Sequence, residues 1–145
     1  MQTEDELNRI AYEVRGACLR IHQQLGPGCF ESAYAACFGY ELQKRKLDFQ
    51  TKVALPIRYE DLFIPRAYEP DFVVAGCLIV EVKACERLAD IHVRQIDTYL
   101  RLSGCPLGLL VNFGAVRVLD GIVRRVHNFP HGTAPYSDRA VEASP

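Results

Sequence analysis

The sequence predicts a mixed α/β fold, a β-sheet flanked by α-helices in one domain. Three observations predict it. Near the N-terminus, Leu7, Ile10, Ala11, Val14, Ala17, Cys18, Ile21 and Leu25 recur at helical spacing. Further on, Phe49, Thr51, Val53, Leu55, Ile57 and Tyr59 alternate with residues such as Gln50, Lys52 and Arg58, the two-residue period of a strand. Leu107 to Phe113 is a continuous apolar run, as expected of a strand buried on both faces.

Taken in order, Thr3-Glu4-Asp5-Glu6 matches a capping box and starts the first helix, which Gly26-Pro27-Gly28 ends. A second helix is expected from Phe30 to Lys46, with Phe30, Ala33, Tyr34, Cys37, Phe38 and Leu42 on its core face. Glu31 lies in its first turn, where a carboxylate complements the helix dipole, and Tyr34 is its neighbour one turn on. The alternating segment from Phe49 to Tyr59 reads as one strand, turned at Glu60-Asp61 into a second from Leu62 to Ala67. Pro56 and Pro65 imply edge positions or bulges there. A hairpin occupies Pro70 to Ala84, and a third helix spans Asp90 to Leu102, closed by Ser103-Gly104. Its inner stripe is Val93, Ile96, Tyr99 and Leu100, with Gln95 beside that stripe in reach of the sheet; Arg94, Asp97 and Arg101 fall at ion-pair spacing. After the buried run, Val116 to Leu119 and Ile122 to Phe129 read as two strands joined by an Asp120-Gly121 turn. Residues 1–129 form the expected domain, and the polar, Pro-containing tail 130–145 is expected to be disordered or loosely attached.

The hairpin from Pro70 to Ala84 carries the chemistry. Asp71, Glu81 and Lys83 stand within otherwise apolar runs, and Glu81 and Lys83 share a strand face. A three-residue loop at Ala75 to Cys77 sets Asp71 opposite Glu81, with backbones roughly 5 Å apart. A two-residue loop pairs Asp71 with Val80 instead and sends it to the other face. Buried ionised groups cost several kcal/mol each unless paired or bound to a metal. Two carboxylates with the Val82 carbonyl suit a hard divalent cation such as Mg2+, and Lys83 suits orientation of a water or compensation of phosphate charge. The plain alternative is a half-exposed hairpin with a surface Glu-Lys pair.

Composition limits the alternatives. With 145 residues, 49% hydrophobic and 24% charged, the chain is long enough for a core without staples. A formal net charge of −1 supplies no global field for nucleic acid. From Ala84 to Phe129, however, six Arg stand against four Asp and Glu, which permits a local basic patch. The six cysteines form no Cys-x-x-Cys, and no signal peptide or membrane-length apolar run is present, so a reduced, cytoplasmic protein is expected. Gly-x-Ser-x-Gly, P-loop and Gly-x-Gly-x-x-Gly motifs are all missing. His127 and His131 straddle Pro130, which makes them a poor metal pair.

Two motifs then coincide. Gly28-Cys29-Phe30-Glu31-Ser32-Ala33-Tyr34 reads Gly-x-x-Glu-x-x-Tyr, and Asp71…Glu81-Val82-Lys83 follows it. Together with Arg94 to Leu100 and Gly108 to Phe113, they make the chain resemble the small bacterial GxxExxY family, placed in the PD-(D/E)XK nuclease superfamily. The resemblance implies a restriction-endonuclease-like α/β core and a metal-dependent nuclease using Mg2+, or Mn2+ in its stead. Asp71, Glu81 and Lys83 would be its core triad, with Glu31 joining the metal site and Gln95 contacting it from the helix after the strand. Tyr34 would have a supporting role. The implied partner is nucleic acid, DNA before RNA, with no membrane, and a homodimer is the assembly by which small nucleases of this fold often cut two strands. The competing class is a non-catalytic nucleic-acid- or protein-binding module that keeps the fold; near-neutral charge favours it, and the complete Glu/Asp/Glu/Lys set favours the enzyme.

Overall fold

A computed structural model describes residues 1–130 of the chain; the expected tail therefore lies, apart from Pro130, outside the described residues. The first helix, α1, spans Glu4–Leu25 and begins with the capping box, Thr3 Oγ1 accepting from Glu6 N–H and the Glu6 carboxylate from Thr3 N–H. It ends at Gly26, whose φ of 66° is open to glycine without strain. The second helix, α2, is shorter than its pattern suggested, Glu31–Lys44. Phe30 is extended at the N-cap and 85% exposed, so it leaves the expected core face; Lys46, at φ 58°, turns the chain away at the other end. The third, α3, runs Asp90–Ser103 and stops at left-handed Gly104.

The strands are β1 (Phe49–Thr51), β2 (Leu55–Tyr59), β3 (Leu62–Tyr68), β4 (Phe72–Val74), β5 (Leu78–Lys83), β6 (Leu107–Asn112) and β7 (Ile122–Val126). Five form a mixed sheet in the order β1-β4-β5-β6-β7, while β2 and β3 make a separate two-stranded sheet. Only β5 and β6 are parallel, and α3 is the crossover between them. The long alternating run is thus two strands. Lys52, at φ 53°, donates its N–H to the Asp71 carbonyl and breaks the run, so that β1 joins β4 and β2 joins β3. An irregular register at Pro56, between Leu55 and Ile57, fits its missing N–H.

The expected strand from Val116 to Leu119 is a second correction. Val118–Gly121 is a 3-10 turn with Val118 buried, and Ile122–Val126 pairs with β6 rather than with a hairpin partner. Arg94 and Arg101 also build no ladder with Asp97, whose carboxylate instead accepts from Arg125 on β7 at 2.8 and 2.9 Å.

Alternation along β5 divides the core. Leu78, Val80 and Val82 pack with α1 and α2 on one face, whereas Ile79 packs with Val93, Ile96, Tyr99 and Leu100 of α3 on the other. Glu81 and Lys83 have the parity of Ile79, which directs them to the α3 face. All six residues of β6 are buried, as its apolar run predicted.

Candidate active site

The β4–β5 hairpin has the three-residue loop. Phe72 pairs with Val80, Val73 with Ile79 and Val74 with Leu78, leaving Ala75, Gly76 and Cys77 to turn. Ala75 and Gly76 both have positive φ, at 52° and 68°, and Cys77 N–H closes the turn on the Val74 carbonyl. Extending this register by one residue sets Asp71 against Glu81. Side chains replace the ladder there: Asp71 N–H donates to Glu81 Oε1 at 2.6 Å, and Val82 N–H donates to Asp71 Oδ2 at 2.9 Å. Each carboxylate therefore commits one oxygen to the other's strand, which fixes both groups.

Glu81 is only 5% exposed. Burial first, then repulsion from Asp71, push its carboxyl up to about 7; the Asp71 N–H bond and Lys83 pull it down, and Glu31 adds the smallest upward push. Lys83 is half-buried and acts on Glu81 through its field, with no direct ion pair among the described residues. Glu31 is exposed at the first position of α2. Gln95 is half-buried one turn before Tyr99 on α3, and makes no hydrogen bond to Asp71 or Glu81. Tyr34 holds the loop before α2. Its hydroxyl donates to the Gly26 carbonyl and accepts from Cys29 N–H, while its ring stacks on Phe113 at 4.6 Å. The Gly-x-x-Glu-x-x-Tyr spacing thereby ties the loop before α2 to the end of β6.

Two residues without a sequence signal join the group. Lys52 Nζ lies 3.6 Å from Asp71 Oδ1; its place in an alternating run marked it only as a solvent-facing position. Tyr99 is buried, and burial followed by the negative charges of Glu81 and Asp71 raises its phenol above the usual range. Its helical spacing identified it as core, which it is, while the tertiary packing also puts it within the field of the carboxylates. Asn112 fixes the exit from β5: its side chain accepts from Cys85 N–H and donates to the Cys85 carbonyl, at 3.0 and 2.9 Å, and Phe113 N–H donates to the Lys83 carbonyl.

The donor set suits a hard cation. A residue's N–H and C=O point to one strand edge, so the Val82 carbonyl faces the same side as the amide that donates to Asp71. A cation there would relieve the mutual repulsion that raises Glu81. Among the described residues no group of three or more His, Cys, Asp or Glu side chains is gathered to hold a metal, so the structure does not bring Glu31 into a three-carboxylate cluster. One or two carboxylates with several waters are nevertheless the usual manner of holding Mg2+.

A family model described as the PD-(D/E)XK nuclease superfamily matches residues 8–126. Comparison with curated proteins and with solved structures finds no match. No helix among the described residues is long and apolar enough to cross a membrane.

Proposed function

The chain belongs to the PD-(D/E)XK nuclease superfamily, and on that premise we propose that it is a metal-dependent nuclease of its GxxExxY branch, hydrolysing phosphodiester bonds of DNA in the bacterial cytoplasm. The observation that carries the reading is the reciprocal lock between Asp71 and Glu81, two carboxylates fixed side by side at the end of a buried hairpin. Such a pair is unfavourable for a purely structural hairpin and favourable around a cation. Asp71, Glu81 and the Val82 carbonyl would hold Mg2+ or Mn2+, and Glu31 would add negative charge at the rim. When bound, the metal supplies Lewis-acid stabilisation of the phosphate and a more acidic water. Lys83, on the same face as Glu81, orients the attacking water and offsets charge on the phosphate oxygens. Gln95 and Tyr99 bound the site from α3, where they position the same water and exclude others.

Isothermal titration of Mn2+ into the wild type and Asp71→Asn tests the metal site, with labelled DNA and RNA for cleavage. The wild type is expected to bind and Asp71→Asn to lose binding, while Glu81→Ala and Lys83→Ala stay folded but cut nothing. Failure of the wild type to bind metal, with and without nucleic acid, would favour the second reading, a binding module retaining the fold. That reading draws on the absence, among the described residues, of a third carboxylate from the cluster.

A further inference from the structure

A groove of about 440 Å³ opens between α2 and the edge strand β1 and reaches the site through Asp71. Its volume lies near the lower end of small-ligand clefts, room for a nucleotide unit. From α2 it is lined by Ala35, Ala36 and Gly39, small residues that leave the space open. Lys52 and Asp71 belong to the same lining, so the groove is continuous with the site. Tyr40, also in the lining, is 64% exposed, and the Lys44 ammonium lies 5.5 Å from its ring centre. Lys44 lies outside the groove and pairs with Glu41 at 3.3 Å, so the open space has a largely exposed aromatic ring at one flank and the Lys52 cation at the other, in a chain whose net charge is −1.

An exposed ion pair contributes little to stability, and Lys52 is 68% exposed. A metal on Asp71 would compete with the Lys52 ammonium for Oδ1 and leave the latter to a neighbouring phosphate. A ring with no apolar cover suits a base, since every base has a π-face to offer. We propose that the α2–β1 groove seats unpaired nucleotides flanking the scissile phosphate, with Lys52 on the adjoining phosphate and Tyr40 against a base. The site then takes single-stranded or frayed DNA. This deepens the nuclease reading and rests on it for the position of the scissile bond.

The test is fluorescence anisotropy of labelled single-stranded and duplex oligonucleotides in a Glu81→Gln background, which keeps the acceptor for Asp71 N–H and stops cleavage. Lys52→Ala should flatten the plot of log affinity against log salt by ~0.7, one phosphate contact on a single strand, and Lys52→Arg should restore it. Tyr40→Ala should weaken single-strand binding roughly 5- to 150-fold. Ala36→Leu, at an exposed position inside the groove, should do so by occupying the space, with no change in melting temperature. Unchanged affinity and salt slope in all three variants, preference for duplex or RNA over single-stranded DNA, or no binding at all would each overturn the proposal. Cleavage by the otherwise wild-type protein is scored separately. Cutting that survives Lys52→Ala, Tyr40→Ala and Ala36→Leu removes the groove and leaves the nuclease, whereas groove-dependent binding without cleavage in any divalent metal removes the nuclease and leaves the groove.

Discussion

At the scale of single residues, Glu81 couples the chemistry of the site to stability. Its carboxyl titrates at about 7 in the fold, against an ordinary value of 4.5. The folded state therefore holds the proton more tightly than the unfolded chain. The associated stability is fully present below the unfolded value, and is lost as pH rises through about 7. Each pH unit between the two values is worth about 1.36 kcal/mol, so the loss is on the order of 3 kcal/mol. Metal-free wild type should thus lose stability between about pH 4.5 and 7 relative to Glu81→Gln, in paired thermal melts. A divalent metal should reduce the difference by replacing the proton as the neutralising charge. Equal pH slopes for the two proteins would show that Glu81 is not held in a repulsive, desolvated place.

At the scale of elements, the hairpin and its clamp decide whether the groups meet. The Ala75–Cys77 loop selects the register that puts Asp71 opposite Glu81, and a loop shorter by one residue would move Asp71 to the other face. The far end of β5 depends on Asn112. Asn112→Ala leaves the Cys85 amide and carbonyl without these partners, and also removes the bond from Gly114 N–H to Asn112 Oδ1. The expected cost is about 1–3 kcal/mol in chemical denaturation. Hydrogen exchange should show the loss at Cys85 and Gly114, with β6 still protected. Faster exchange throughout β6 would instead make Asn112 a general core residue rather than a clamp.

At the scale of the whole molecule, the site depends on how closely α3 lies against the sheet. Gly108 on β6 allows that approach: a Cβ there would meet Ile96 at 3.1 Å and Leu100 at 3.2 Å, both buried. Gly108→Val should push α3 outward at a cost of about 1–3 kcal/mol. Because Gln95 and Tyr99 ride on α3, cleavage should fall while Mn2+ binding by Asp71 and Glu81 persists. Loss of both together would indicate that the sheet itself had been disturbed.

Local chemistry was legible wherever periodicity and burial coincide. The capping box at Thr3, the helical stripe of α3, the buried run of β6 and the charged hairpin all followed from spacing, because each rests on neighbours a few residues apart. The sequence by itself thus determined the mixed α/β class and the segment bearing Asp71, Glu81 and Lys83. Breaks caused by distant partners were not legible: Lys52 divides one alternating run into two sheets by bonding to Asp71, and Val118 is drawn into a 3-10 turn by burial. Only the tertiary structure chose between the two hairpin registers, placed Lys52 and Tyr99 near the carboxylates, and left Glu31 at the rim. The reason is physical: alternation states which face a side chain takes, whereas proximity between elements depends on loop length, backbone hydrogen bonds and packing that no local pattern encodes.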